Sequence, residues 1–87
     1  MNFEIRKSFE KDAAKLSATL QKHLAATIKQ ITAAKTLSDI SSCKKLTGFK
    51  NAYRIRIGRY RIGFFFENET VELVRILNRK DIYRYFP

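Results

Sequence analysis

The run Tyr53-Arg54-Ile55-Arg56-Ile57-Gly58-Arg59-Tyr60-Arg61-Ile62 constrains the fold of this chain more than any other stretch. Arginine alternates with apolar residues on both sides of a single glycine. Strand geometry sends successive side chains to opposite faces, so Arg54 and Arg56 share one face and Tyr53, Ile55 and Ile57 the other. A two-residue loop of Gly58 and Arg59 makes this a hairpin, with glycine supplying the positive φ. Ile57 then faces Tyr60, and Arg56 stands opposite Arg61. Like charges opposed across a strand pair are destabilising. A fold that keeps them in that place is expected to hold them for an anion.

Charge points the same way. Of 87 residues, 18 are Lys or Arg and 8 are Asp or Glu, a formal net charge of +10. So much positive charge on one small domain implies a polyanion, most simply nucleic acid. Arginine rather than lysine dominates the alternating segment, and its planar fork suits phosphate. With 45% hydrophobic residues the chain has the means to fold, as one domain over residues 1–87 with a modest core. Cys43 is the one cysteine, which excludes an intramolecular disulfide and fits a reducing, cytoplasmic setting. No metal-ligand spacing is present, and neither metal nor cofactor is expected. Glu4, Arg6 and Lys7 interrupt any signal-peptide pattern. No apolar run approaches the ~20 residues that span a bilayer. His23 is read as a solvated or capping residue.

Residues 2–7 alternate Phe3 and Ile5 with polar side chains and read as a strand. Ser8 is the expected cap of a first helix, whose early acids Glu10 and Asp12 suit the helix dipole. Phe9, Ala13, Leu16 and Leu20 form one apolar stripe, and Leu24, Ile28 and Ile31 another running to about Lys35. Two antiparallel helices with a break near Ser17 to Thr19 are expected, one bent helix being the alternative. A short turn covers 37–42, and Gly48 permits a turn before the sheet. Further strands fall at 52–57, 60–67 and 71–78, with a turn around Asn68. The fold class is therefore α+β: an antiparallel sheet of about four strands packed on two N-terminal helices, in the order β-α-α-β-β-β, with its other face open.

The last hairpin admits two registers. A three-residue or bulged turn near Asn68 puts Arg75 and Arg79 on the face of Arg61, and sends Val74 and Ile76 to the helices with Ile62, Phe64 and Phe66. A two-residue turn drives Arg75 under the helices, where an unpaired charge is costly. The first is preferred. The open face then carries Arg54, Arg56, Arg61, Arg75 and Arg79 beside Phe65, Leu73 and Leu77. The tail, residues 78–87, mixes cations with Tyr83, Tyr85 and Phe86. Aromatics there can stack on unpaired bases, while Ile82, Tyr85 and Phe86 can also fasten the segment to the sheet.

Lys45-Leu46-Thr47-Gly48, the run from Tyr53 to Ile62, and Arg79-Lys80-Asp81-Ile82-Tyr83 together resemble the RelE/ParE superfamily of toxins from toxin–antitoxin systems, and its RelE branch above all. Length and element order match as well. The resemblance implies the toxin of a type II system that inhibits translation as a ribosome-dependent mRNA endoribonuclease. The RNA 2′-hydroxyl would attack the adjacent phosphorus and leave a cyclic phosphate. It assigns Arg54, Arg56, Arg61, Arg79 and Tyr83 to catalysis; the neighbouring cations Arg59, Arg75, Lys80 and Lys45 are expected to bind RNA. It also implies a cognate antitoxin, the ribosome and mRNA as partners. In the RelE prototype the first two basic positions are lysines. Here both are arginine, which stays protonated, so the general base is unassigned. A ParE-like inhibitor that binds DNA gyrase, and a member that holds RNA or antitoxin without cutting, are the alternatives.

Overall fold

The computed structural model describes residues 1–87. Strand β1 (Asn2–Ile5) leads into helices α1 (Lys7–Ala14) and α2 (Ala18–Ala33). A 3₁₀ turn at Leu37–Asp39 precedes strands β2 (Cys43–Lys45), β3 (Ala52–Ile57), β4 (Tyr60–Glu67) and β5 (Thr70–Asn78), and a short helix α3 (Ile82–Tyr85) follows. The strands form one sheet in the order β1-β5-β4-β3-β2. The α+β class and the three long strands agree with the sequence reading. The sheet has one strand more than expected, because three residues of β2 are too few to show an alternation. It is also not wholly antiparallel. The two-helix crossover returns the chain so that β1 lies parallel to β5.

The arginine hairpin has the expected register, with Arg56 opposite Arg61 and Ile57 opposite Tyr60. Gly58 has φ +57°, as the first central residue of a type II′ turn requires. Ile55, Ile57, Ile62 and Phe64 are buried in one core with Phe9, Leu24 and Ile31 of the helices and Leu16 of the turn between them, with Tyr53, Tyr60 and Phe66 at the margin. Ser17 caps α2, its hydroxyl accepting from the Leu20 N–H at 3.2 Å. The break between the helices therefore falls where a side-chain cap was available. Ser8 does not cap α1, which begins one residue before it. Its hydroxyl instead donates to the Val74 carbonyl at 2.6 Å.

That bond is one of three by which α1 completes the edge of β5. β1 pairs only with residues 70–73. Beyond them the Arg6 N–H donates to the Leu73 carbonyl at 3.0 Å, Ser8 follows, and Asp12 Oδ2 accepts the Ile76 N–H at 3.1 Å. A helix thus continues what the strand began and covers the part of the β5 edge that β1 does not reach.

The last hairpin corrects the sequence reading. Its turn is the two-residue type: Asn68 and Glu69 both have positive φ, +51° and +57°, the signature of type I′. The bulge lies within the strands instead. Gly63 pairs with Arg75 but Phe64 pairs with Leu73, so Val74 is an extra residue. Val71 and Leu73 before it, and Ile76 after it, face the helices. Leu73 was expected on the open face and Val74 on the helix side; they have exchanged places. Val74 joins Ala52, Ile82 and Phe86 in a second apolar cluster on the opposite face, which α3 covers in part.

Gly63 sits beside the bulge for a steric reason. A Cβ there would overlap the Phe86 ring, which is buried and packs on Phe65 with centroids 5.0 Å apart. Gly63→Ala is expected to destabilise the fold by about 1–3 kcal/mol through overpacking. Urea melts of Gly63→Ala, Phe86→Ala and the double variant check this. The double loss should fall well short of the sum of the two singles, since removing the ring removes the clash. Strict additivity would show that Gly63 serves no such approach.

Candidate functional site

The arginines gather around Arg61. Across the sheet, register sets Arg56 opposite Arg61 and Arg61 opposite Leu77. Along β3, Arg54 lies one step from Arg56 on the same face, and Lys44 of β2 stands opposite Arg54. The Arg79 N–H donates to the Arg59 carbonyl at 2.8 Å, which ties the end of β5 to the hairpin tip. Tyr83, in the first turn of α3, is 58% exposed. Arg61 is held below the ordinary arginine pKa, first by partial burial and then by Arg54, with Arg56 and Arg79 adding to it and Tyr83 opposing. Arg54, Arg56, Arg61, Arg79 and Tyr83 therefore share one electrostatic neighbourhood, built from β3, β4, the residue that follows β5, and α3.

No acid neutralises it. The chain has two ion pairs, Arg6 with Glu72 and Arg75 with Asp12. Neither involves Arg54, Arg56, Arg59, Arg61 or Arg79. Backbone carbonyls orient the guanidinium groups instead. Arg61 Nη1 donates to the carbonyls of Gly58 at 2.8 Å and Tyr60 at 2.9 Å, and Arg54 Nη1 to that of Ser42 at 3.2 Å. Such bonds aim a cation without cancelling its charge, and most of each fork's five donors stay free. The acids gather elsewhere. Glu4, Glu67 and Glu72 line a cleft of about 480 Å³ at the far end of β4, roughly 20 Å from Arg61 at the rise of a strand. Arg6 also lines that cleft and pairs with Glu72 there, so these acids and the unpaired arginines lie at different ends of the sheet, and a polyanion is drawn to the arginines.

The family model described as the ParE toxin of the type II toxin–antitoxin system parDE matches residues 3–83. The chain belongs to the RelE/ParE superfamily. This RelE/ParE toxin is 38% identical over 82 residues to Toxin RelE3 of Methanocaldococcus jannaschii, covering 93% of each chain. It is similar to a chain of the RelB–RelE antitoxin–toxin complex from Methanococcus jannaschii, with a TM-score of 0.80, 35% identity and full coverage of both chains. The archaeal RelE–RelB complex from Pyrococcus horikoshii, at 17% identity, shares the fold alone, with a TM-score of 0.72 over 90% of this chain and 93% of that one. The protein is accordingly the toxin of a type II toxin–antitoxin system. No helix of it is long and apolar enough to cross a membrane.

The remaining basic residues of this RelE/ParE toxin divide. Arg59 at the hairpin tip and Lys80 after β5 are exposed near the arginine group. Arg75 is engaged: its Nε donates to Asp12 Oδ2 at 2.7 Å and its Nη2 to Oδ1 at 3.1 Å. That bonding raises the Arg75 pKa. Its guanidinium carbon also lies 5.3 Å from the Tyr85 ring centroid. Lys45 pairs with Tyr53 and so stands on the helix side of the sheet, while Lys44 takes the position beside Arg54. Lys44 escaped the sequence reading because its parity depends on β2, which has no pattern of its own. The Cys43 thiol is half-buried, and burial pushes its pKa up against the opposing effect of Arg54, the reverse of an activated nucleophile. His23 lines a shallow cleft with Arg56 and Gly58.

Proposed function

We propose that this toxin is an mRNA endoribonuclease that acts on the ribosome. The observation that carries the reading is the grouping of Arg54, Arg56, Arg61 and Arg79 with Tyr83, none of the four arginines being held in an ion pair. In this reading Arg61 and Arg79 hold the non-bridging oxygens of the scissile phosphate, where charge grows as the fifth bond forms. Arg54 and Arg56 hold the flanking backbone, with Lys44, Arg59 and Lys80 beyond them. Tyr83 stacks against a base. The 2′-oxygen bonds to phosphorus as the bond to the 5′-oxygen breaks. The products are a 2′,3′-cyclic phosphate and a 5′-hydroxyl, and the proton leaves the 2′-oxygen while the 5′-oxygen gains one.

None of these side chains is a good base at neutral pH: arginine stays protonated, and a tyrosine hydroxyl ordinarily ionises near pH 10. Catalysis therefore rests on in-line orientation and charge stabilisation, with the decoding site of the ribosome completing the arrangement. Free RNA is cut poorly. A cognate antitoxin, as in the RelB complexes of the relatives, covers this face with acidic residues, and opposite charge speeds the encounter.

Induced expression followed by primer extension on ribosome-bound message tests the reading. Codon-position breaks, with DNA gyrase unaffected, are the expected result. Arrested replication with intact message would favour a ParE-like gyrase inhibitor, and intact message with retained ribosome binding a non-cutting member. A second measurement tests the electrostatics. Affinity for a short single-stranded RNA should fall with salt at a log–log slope of about −3, for four phosphates neutralised at about 0.7 each. A flat response would remove the phosphate contacts from the account.

A further inference from the structure

The loop joining β2 to β3 carries an aromatic side chain that the fold does not use. Phe49 is 48% exposed and belongs to neither apolar cluster. It lines a groove of about 360 Å³ together with Leu46, Thr47, Tyr83, Phe86 and Pro87. Leu46 and Phe86 form the apolar floor, anchored in the cluster of Ala52, Val74 and Ile82. Phe49 and the half-exposed Tyr83 are its aromatic walls. Gly48, with φ +86°, turns the chain that presents Phe49.

The groove adjoins the arginine face. The Leu46 N–H donates to the Ala52 carbonyl at 2.9 Å, continuing the β2–β3 ladder by one step. Ala52 and Arg54 are alternate residues of β3 and so share a face, about 7 Å apart. Tyr83 belongs to both places, lining the groove and lying within electrostatic reach of Arg61. An apolar slot with two aromatic walls, one strand step from unpaired guanidinium groups, matches a nucleotide: phosphate on the cations, base on the rings.

We infer that the groove between the 46–51 loop and α3 receives one unpaired RNA base, with Phe49 as its stacking platform and a determinant of which nucleotide is accepted beside the cut. This rests on the proposed RNA-directed function and adds a specificity residue to it. Thr47 stands in the groove wall with a hydroxyl suited to a base edge. Phe49 is outside the core, so its replacement leaves the fold standing.

The test uses the whole protein and a short single-stranded oligoribonucleotide bearing 2-aminopurine, with 2′-O-methyl sugars so that nothing is cut. Stacking on Phe49 quenches the fluorophore at one position of the oligonucleotide and not at its neighbours. Phe49→Ala should abolish that quench and weaken binding on the order of tenfold, the value of one lost base stack, with the salt slope unchanged. Phe49→Tyr should restore both. Unaltered quenching and affinity in a folded Phe49→Ala variant overturns the inference. So does a loss confined to binding of the cognate antitoxin, which would make the groove a protein interface. Cleavage is scored separately by primer extension. If the wild-type protein cuts no message but the Phe49-dependent quench is present, the nuclease reading fails while the base groove holds. If it cuts message and the positions of the breaks and the quench ignore Phe49, the groove assignment fails alone.

Discussion

Arg61→Ala should lower cleavage of ribosome-bound message by about a hundredfold or more and abolish growth arrest. Arg61 is the residue on which Arg54 and Arg56 of β3 and Arg79 just after β5 all bear, with Tyr83 nearby. Removing one preorganised donor from a developing oxyanion costs about 10²–10³ in rate in other enzymes. The same site offers little to stability. The two bonds from Arg61 Nη1 go to carbonyls at the hairpin tip, where water can replace them. Their loss is offset in part by relief of the opposition between Arg56 and Arg61. Melting should therefore stay within about 1 kcal/mol of the parent. Arg61→Lys should recover part of the activity, keeping the charge but losing the planar fork. Arg79→Ala should resemble Arg61→Ala. Primer extension read beside a urea melt separates the cases. Full cleavage by a folded Arg61→Ala protein would take Arg61 out of the chemistry.

What the sequence made legible follows from how local each signal is. The β3–β4 hairpin could be placed to the residue because Gly58 limits the turn to two residues, and strict alternation then carries the register outward to Ala52 and Phe65. Helix α2 starts at Ala18 because the capping hydroxyl of Ser17 lies next to the break in the apolar stripe. The Val74 bulge left no such mark. From Val71 to Leu77 the apolar residues are too dense for a slip of one position to disturb the pattern, so the parity of Leu73 and Val74 was open. β2 and its Lys44 became visible only once paired with β3. Phe49 looked like one more apolar residue before the sheet, and only its exposure beside Tyr83 sets it apart. Arg75 is the plainest instance. Its sequence context resembles that of Arg61, yet its partner lies 63 positions away, and no local rule reaches that far.

Asp12→Ala should be the most destabilising single change among the polar residues, by about 3 kcal/mol. Asp12 is 7% exposed and accepts three hydrogen bonds, two from Arg75 and one from the Ile76 N–H. Alanine leaves a guanidinium without its counter-charge and a backbone donor without an acceptor. Breaking a buried pair from one side costs about 3–5 kcal/mol. The lower end applies here because the Arg75 side chain remains 25% exposed and can recruit water. Against a total stability of about 5–15 kcal/mol for a small domain, that is a large share. Asp12→Ala/Arg75→Leu should regain part of the loss, because no charge is then stranded, although the Ile76 N–H stays unpaired. The pair also decides what Arg75 is for. Arg75→Leu should lower the urea midpoint yet leave the salt slope of RNA binding as it was. A slope shallower by about 0.7 would instead place a phosphate on Arg75. Because Arg75 also carries the Tyr85 ring of α3, loosening it should let the helix shift and reposition Tyr83. Asp12→Ala should thus lose cleavage activity even below its melting temperature. Activity that follows only the folded fraction would mean that α3 is held by Ile82 and Phe86 alone.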